Sequence, residues 1–135
     1  MTARPSQKTR TIRQSATFNA TPHGVYEMLM DSRLHSEFTG AKANIARRVG
    51  GRFTAYDGWA EGRNLELVKD KKIVQRWRGA DWLAGHYSTV TYRLSGSGNG
   101  TRLEFVQTGV PVEVYKDISA GWKEHYWNKM KLALR

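Results

Sequence analysis

Apolar and polar positions alternate along most of this chain, and the period of the pattern changes at two places. From Thr11 to Phe18, Ile12, Ala16 and Phe18 share one parity and Arg13, Ser15 and Thr17 the other. That predicts a first strand with one buried face. Asn19-Ala20-Thr21-Pro22 breaks the alternation, with Thr21 placed to cap a helix and Pro22 to fill its first position. Val25 and Leu29, joined by Tyr26 and Met30, then make an apolar stripe at helical spacing. A second short helix is expected from Asp31 or Ser32 through Leu34 to Phe38, with Gly40 as its stop.

Period two then returns. Gly50-Gly51 precedes an expected strand over 52–56, Asp57-Gly58 is a hairpin signal that demands positive φ, and 59–68 is the return strand. A charged turn over 69–72 leads to a strand over 73–77, and 81–86 reads as a loop holding Trp82. Strands over 87–94 and 101–108 flank the flexible turn SGSGNG.

After Pro111 the period becomes 3.6. Tyr115, Ile118, Trp122, Tyr126, Met130, Ala133 and Leu134 share one broad face, with Asp117, Glu124, Asn128 and Lys131 opposite. Trp127 falls at the edge of the apolar face, which makes it the ring expected to meet a partner.

Strands joined by tight turns pair antiparallel, and a helix that follows such a sheet packs on its concave face. The expected fold is α+β: a curved antiparallel sheet of about six to seven strands, two short helices after the first strand, and a long C-terminal helix across the concave face. Residues 1–10 are expected to form a flexible basic tail, and 11–135 a single domain.

Trp59, Trp77, Phe105, Trp122 and Tyr126 converge on one interior in this arrangement. Core packing is the commoner fate of such rings, but a curved sheet and a helix do not always fill the space between them. Large rings with polar tips then line what remains. The candidate cavity wall is Phe38, Phe53, Trp59, Gln75, Trp77, Trp82, Phe105, Trp122, Tyr126 and Met130. Gln75 has the parity of Ile73 and Trp77, so it is the favoured polar tip inside. Glu61, Arg63 and His125 are candidate polar cavity groups. Glu61 and Arg63 lie on the strand next to that of Gln75 and Arg76, so the competing reading is a cross-strand ion pair on the solvent face.

Charge adds one question. The formal net charge is +10, which suits nucleic acid, an anionic membrane or an acidic protein partner. No recognition helix, zinc motif or aromatic RNA-binding strand accompanies it, so nucleic acid is disfavoured. No apolar run approaches the length of a membrane span and residues 1–13 lack a signal-peptide core, so membrane insertion is not expected and the cytoplasm is the simplest compartment. With no cysteine there is no thiolate nucleophile or thiolate metal site. His23, His35, His86 and His125 show no metal-ligand spacing, and neither a nucleophile elbow nor a phosphate-cradling loop is present. No cofactor or metal is expected. An enzyme would have to work with His125, Glu61 or Asp81 in the cavity.

Phe38-Thr39, Gly50-Gly51-Arg52-Phe53, Asp57-Gly58, the strand Lys72-Ile73-Val74-Gln75-Arg76-Trp77-Arg78, Trp82, Gly85-His86-Tyr87, Gln107-Thr108-Gly109-Val110-Pro111 and Gly121-Trp122 with Tyr126-Trp127 form an ordered set. That set, in register from about Ile12 to Leu134, resembles the C-terminal domain of the activator of heat-shock protein 90 ATPase, in the START-like helix-grip superfamily. The resemblance implies a cavity or groove between sheet and helix. It also implies a non-enzymatic role: holding a small hydrophobic or amphipathic molecule, or alternatively binding heat-shock protein 90 as a co-chaperone. The separate N-terminal domain of the two-domain activators is not expected in 135 residues.

Overall fold

The computed structural model describes residues 8–135. Seven strands form one antiparallel sheet in the order β1-β7-β6-β5-β4-β3-β2. They are β1 (Thr9–Phe18), β2 (Asn44–Ile45), β3 (Arg52–Ala55), β4 (Ala60–Val68), β5 (Lys72–Gly79), β6 (Ser88–Ser97) and β7 (Gly100–Pro111). Helices α1 (Pro22–Met30) and α2 (Ser32–Thr39) follow β1 as expected. A helical run closes the chain and packs against the sheet: a 3-10 turn at Val112–Val114, α3 (Tyr115–Trp122), a π-helical turn at Lys123–Trp127, and α4 (Asn128–Ala133).

The local signals act as the chemistry requires. The Thr21 hydroxyl accepts from the Gly24 amide at 3.1 Å, and Asp31 caps α2 by accepting from Leu34 N at 2.9 Å. Gly40 ends α2 with φ of 78°, a conformation open to glycine because it lacks a Cβ. Tyr56, Asp57 and Gly58 all take positive φ in the turn that the Asp-Gly pair marks.

Some boundaries move. β1 starts at Thr9, so Thr9 and Arg10, placed in the tail from sequence, already pair with Pro111 and Val110. A register shift between Arg10 and Ile12 breaks the alternation there, which is why period two is visible only from Ile12 onward. Of the rest of the expected tail, Lys8 is exposed with its carbonyl accepting from Val112 N at 3.1 Å, and residues 1–7 lie outside the described residues. β6 and β7 run into SGSGNG as far as Ser97 and from Gly100. β2 has no counterpart in the sequence reading.

Trp127 is a correction. It is not at the edge of the helix but in the core, 3% exposed. The π turn explains this, because Asn128 N bonds to Lys123 O, five residues back instead of four. One turn thereby holds an extra residue, and Trp127 swings onto the face of Trp122. Their rings lie 5.8 Å apart and 19° from parallel. Beyond the π turn the buried stripe continues at Met130, while Ala133 is exposed.

Candidate functional site

The space between helix and sheet is largely filled. Phe105 and Trp122 have centroids 4.4 Å apart, Trp122 and Tyr126 4.5 Å, and Phe105 and Trp127 5.3 Å. These contacts make one aromatic layer, and it is anchored by polar tips. Trp122 Nε1 donates to Gln107 Oε1 at 2.8 Å, Gln107 Nε2 to Ser88 Oγ at 2.9 Å, and Ser88 Oγ to the Trp77 carbonyl at 2.7 Å. Trp127 Nε1 donates to Gln14 Oε1 at 2.7 Å, and Gln14 Nε2 donates back to the Ser119 carbonyl at 2.9 Å. Two indoles are thus tied to the sheet through side-chain amides, Gln107 buried and Gln14 half-buried, which fixes their orientation as well as their burial.

His35 forms the third anchor. Its Nδ1 donates to the Leu29 carbonyl at 3.0 Å, and its Nε2 lies 2.9 Å from the Tyr126 hydroxyl. With Nδ1 protonated and the ring neutral, Nε2 accepts the hydrogen bond from the Tyr126 phenol. Burial holds the imidazole below its ordinary value, against a smaller opposing effect of the Leu29 hydrogen bond. The sign follows directly. Below the ordinary histidine value of about 6.5 the unfolded chain takes up a proton that the folded chain resists, so stability falls with pH until the folded-state value is reached. The slope in that window is at most about 1.4 kcal/mol per pH unit. Urea denaturation at pH 7.5, 6 and 5 is expected to show this loss, and His35→Gln to flatten it.

An open groove of about 700 Å³ lies beside the filled core, between α3 and the loops at 56–59 and 80–87. Its walls bring together six residues proposed from sequence: Trp59, Trp77, Trp82, Trp122, Tyr126 and His125. Asp81, weighed from sequence as an enzyme's group, borders the groove too, with Tyr56, Val114, Asp117, Ile118 and Glu124 and small residues at Ala120 and Gly121. Trp77 is the keystone, with Trp59 at 5.7 Å, Trp82 at 5.4 Å and Trp122 at 5.6 Å around it. Gly79 makes room for this cluster, since a Cβ there would stand 2.7 Å from Trp59 Cζ2. The 80–87 loop is pinned by Arg78 Nη2, which donates to the Trp82 carbonyl at 2.6 Å, and by His86 Nε2, which donates to the Gly109 carbonyl at 2.8 Å. At the other wall the Tyr56 hydroxyl donates to the His125 carbonyl at 2.8 Å. Burial pushes the Tyr56 phenol up to about 12, so it stays a donor at neutral pH.

Other sequence candidates are placed elsewhere. Phe38, Phe105 and Met130 are core, away from the groove. Phe53 and Gln75 border a small internal void of about 10 Å³, and the Gln75 amide donates to Asn64 Oδ1 at 3.0 Å. Glu61 and Arg63 do not border the groove: they lie on the outer face of the sheet, in a separate depression of about 270 Å³ with Arg52, Arg76 and Tyr87. Gly62 is the inward residue of that stretch, opposite Phe53 and Trp77, and strand alternation turns its neighbours outward. The cross-strand ion pair weighed for this face does form, between Glu61 and Arg78, its partner on β5, at 3.9 Å. Glu61 accepts from the Tyr87 hydroxyl at 2.9 Å, and Arg63 Nη1 donates to the Gly50 carbonyl at 3.0 Å.

Asp81 and His125 both border the groove, but no hydrogen bond joins them among the described residues. No group of three or more His, Asp or Glu side chains that could hold a metal is present among the described residues. The groove therefore offers shape and aromatic surface, without a coupled acid–base pair. No helix among the described residues is long and apolar enough to cross a membrane.

The outer face carries the charge. Arg52 stands directly opposite Arg63, and Arg63 directly opposite Arg76, so three guanidinium side chains cross three adjacent strands in one row. Arg76 stacks on the Tyr87 ring at 4.1 Å.

Comparison with known proteins agrees with this architecture. The family model described as "Activator of Hsp90 ATPase homolog 1-like protein" matches residues 19–135. An activator of 90 kDa heat shock protein ATPase homolog from Dictyostelium discoideum is 32% identical over 130 residues, covering 94% of this chain and 34% of the relative. The human activator homolog 1 is 30% identical over 115 residues, covering 85% of this chain and 34% of its own length. The chain thus spans about a third of these relatives. The crystal structure of a heat-shock protein 90 activator from Plasmodium falciparum superposes with a TM-score of 0.87 at 24% identity, covering 92% of this chain and 95% of that one, and shows the shared fold.

Proposed function

Because the chain belongs to the activator of heat-shock protein 90 ATPase homolog 1-like family, we propose that it is a non-catalytic module that binds heat-shock protein 90 and alters its ATPase rate. The observation that carries this reading is the family match over 19–135, together with the activator names of its relatives. The arginine row Arg52–Arg63–Arg76 supplies the surface. Like charges placed directly across strands oppose one another, and an acidic partner surface relieves that repulsion. The test is an ATPase titration with the host's own heat-shock protein 90 at low salt, where rim charges act most strongly. A rate that changes with added chain, less so for Arg52→Gln/Arg63→Gln/Arg76→Gln, is expected. A rate unchanged at saturating chain would overturn the activity.

A second reading has its own observation. The groove of about 700 Å³, walled by four indoles, has the size and lining of a small-molecule site. Displacement of an apolar fluorescent probe, and gentle mass spectrometry of protein from its native host, test whether it holds an amphipathic molecule. No displacement and no added mass would remove this reading.

A further inference from the structure

The rim of the groove runs against the charge of the whole molecule. The chain has 22 lysines and arginines against 12 aspartates and glutamates. Nevertheless the groove is bordered by Asp81, Asp117 and Glu124 and by no lysine or arginine. All three carboxylates are on exposed residues, and among the described residues none of the three takes part in a salt bridge or side-chain hydrogen bond. Behind them stand Trp59, which is exposed, and Trp77, Trp82 and Trp122, which border the groove while largely buried. Indole faces attract cations through their quadrupole, tryptophan most of the three aromatic side chains. A cleft lined by one sign of charge over low-dielectric walls focuses its field on what enters.

From the joint placement of indole walls and an unpaired acidic rim we infer that the groove takes a small organic cation with an apolar body, an alkyl- or aryl-ammonium compound. This rests on the reading of the groove as a small-molecule site and adds the sign of the ligand's charge. The apolar body packs on the indoles, and the ammonium sits at the rim, which is bordered by Asp117 and Glu124 of the helical run and by Asp81 of the 80–87 loop.

The net charge makes the test sharp, because a molecule at +10 attracts anions in general and only a local feature reverses that preference. The probes are decyltrimethylammonium, decyl maltoside and decanoate, each below its micelle concentration, read by tryptophan fluorescence and by indole N–H shifts. The cationic probe is expected to bind at least tenfold more tightly than either of the others. D81N/D117N/E124Q is expected to abolish that margin while the binding of decyl maltoside stays unchanged, which shows the groove intact. Equal or tighter binding of the neutral or anionic probe overturns the charge inference and leaves the groove reading standing. If none of the three shifts the indole signals, both fall. A cation preference that survives the triple substitution also overturns the inference, since the rim is then not its source.

Discussion

Gly62→Ala is expected to destabilise the protein by roughly 3 kcal/mol or more, because the added methyl meets backbone as well as a movable side chain. A Cβ at Gly62 would stand 1.7 Å from the Arg76 carbonyl oxygen and 2.8 Å from Phe53 Cε2. No rotamer change relieves the first contact, so β4 must shift away from β5 along the register that pairs Gly62 with Trp77. The groove leans on that pairing, since Trp77 carries Trp59, Trp82 and Trp122. Thermal denaturation is expected to show a midpoint lower by roughly 10 °C or more. Gly96→Ala is the control: a Cβ there meets nothing within 4 Å, and its midpoint is expected to stay near that of the parent. Equal midpoints for the two variants would contradict the close approach of β4 and β5.

Trp122→Ala is expected to cost about 3–5 kcal/mol, the range for truncating a large buried ring. Trp122 is 3% exposed and touches Trp77, Tyr92, Phe105, Tyr126 and Trp127. Trp122→Phe separates two contributions. It keeps much of the ring but deletes the Nε1 donor, leaving Gln107 Oε1 buried without its partner at a cost of about 1–3 kcal/mol. Urea denaturation of both variants is the check. If the phenylalanine variant matched the parent, the buried relay through Gln107 and Ser88 would contribute nothing to stability.

Most of the architecture was legible because it is written in local signals. Alternation through Ile12, Ala16 and Phe18, the Thr21-Pro22 start, the Gly40 stop and the Asp57-Gly58 turn each act within a few residues. What stayed hidden depends on partners distant in sequence. β2 is two residues long and exists through its pairing with β3, and residues so few carry no period. The π turn is a slip of one hydrogen bond along the helix. Without it a 3.6-residue wheel puts Trp127 at the edge, whereas Gln14, 113 positions away, holds it in the core. The candidate site shows the same division. The indoles of the groove were visible as large rings with polar tips, but whether each bordered open space or filled the core depended on how tightly Phe105, Trp122 and Trp127 close together. Glu61 and Arg63 went to the outer face because Gly62 takes the inward position, and glycine has no side chain to mark the buried parity. The acidic rim draws Asp117 and Glu124 from one helical run and Asp81 from a loop, which no single window of sequence displays.

Isothermal titration of the folded chain into the host's purified heat-shock protein 90 at low salt tests the proposed association. Saturable binding is expected, weakening as salt rises and again for Arg52→Gln/Arg63→Gln/Arg76→Gln. Absence of binding by folded chain at low salt would contradict it.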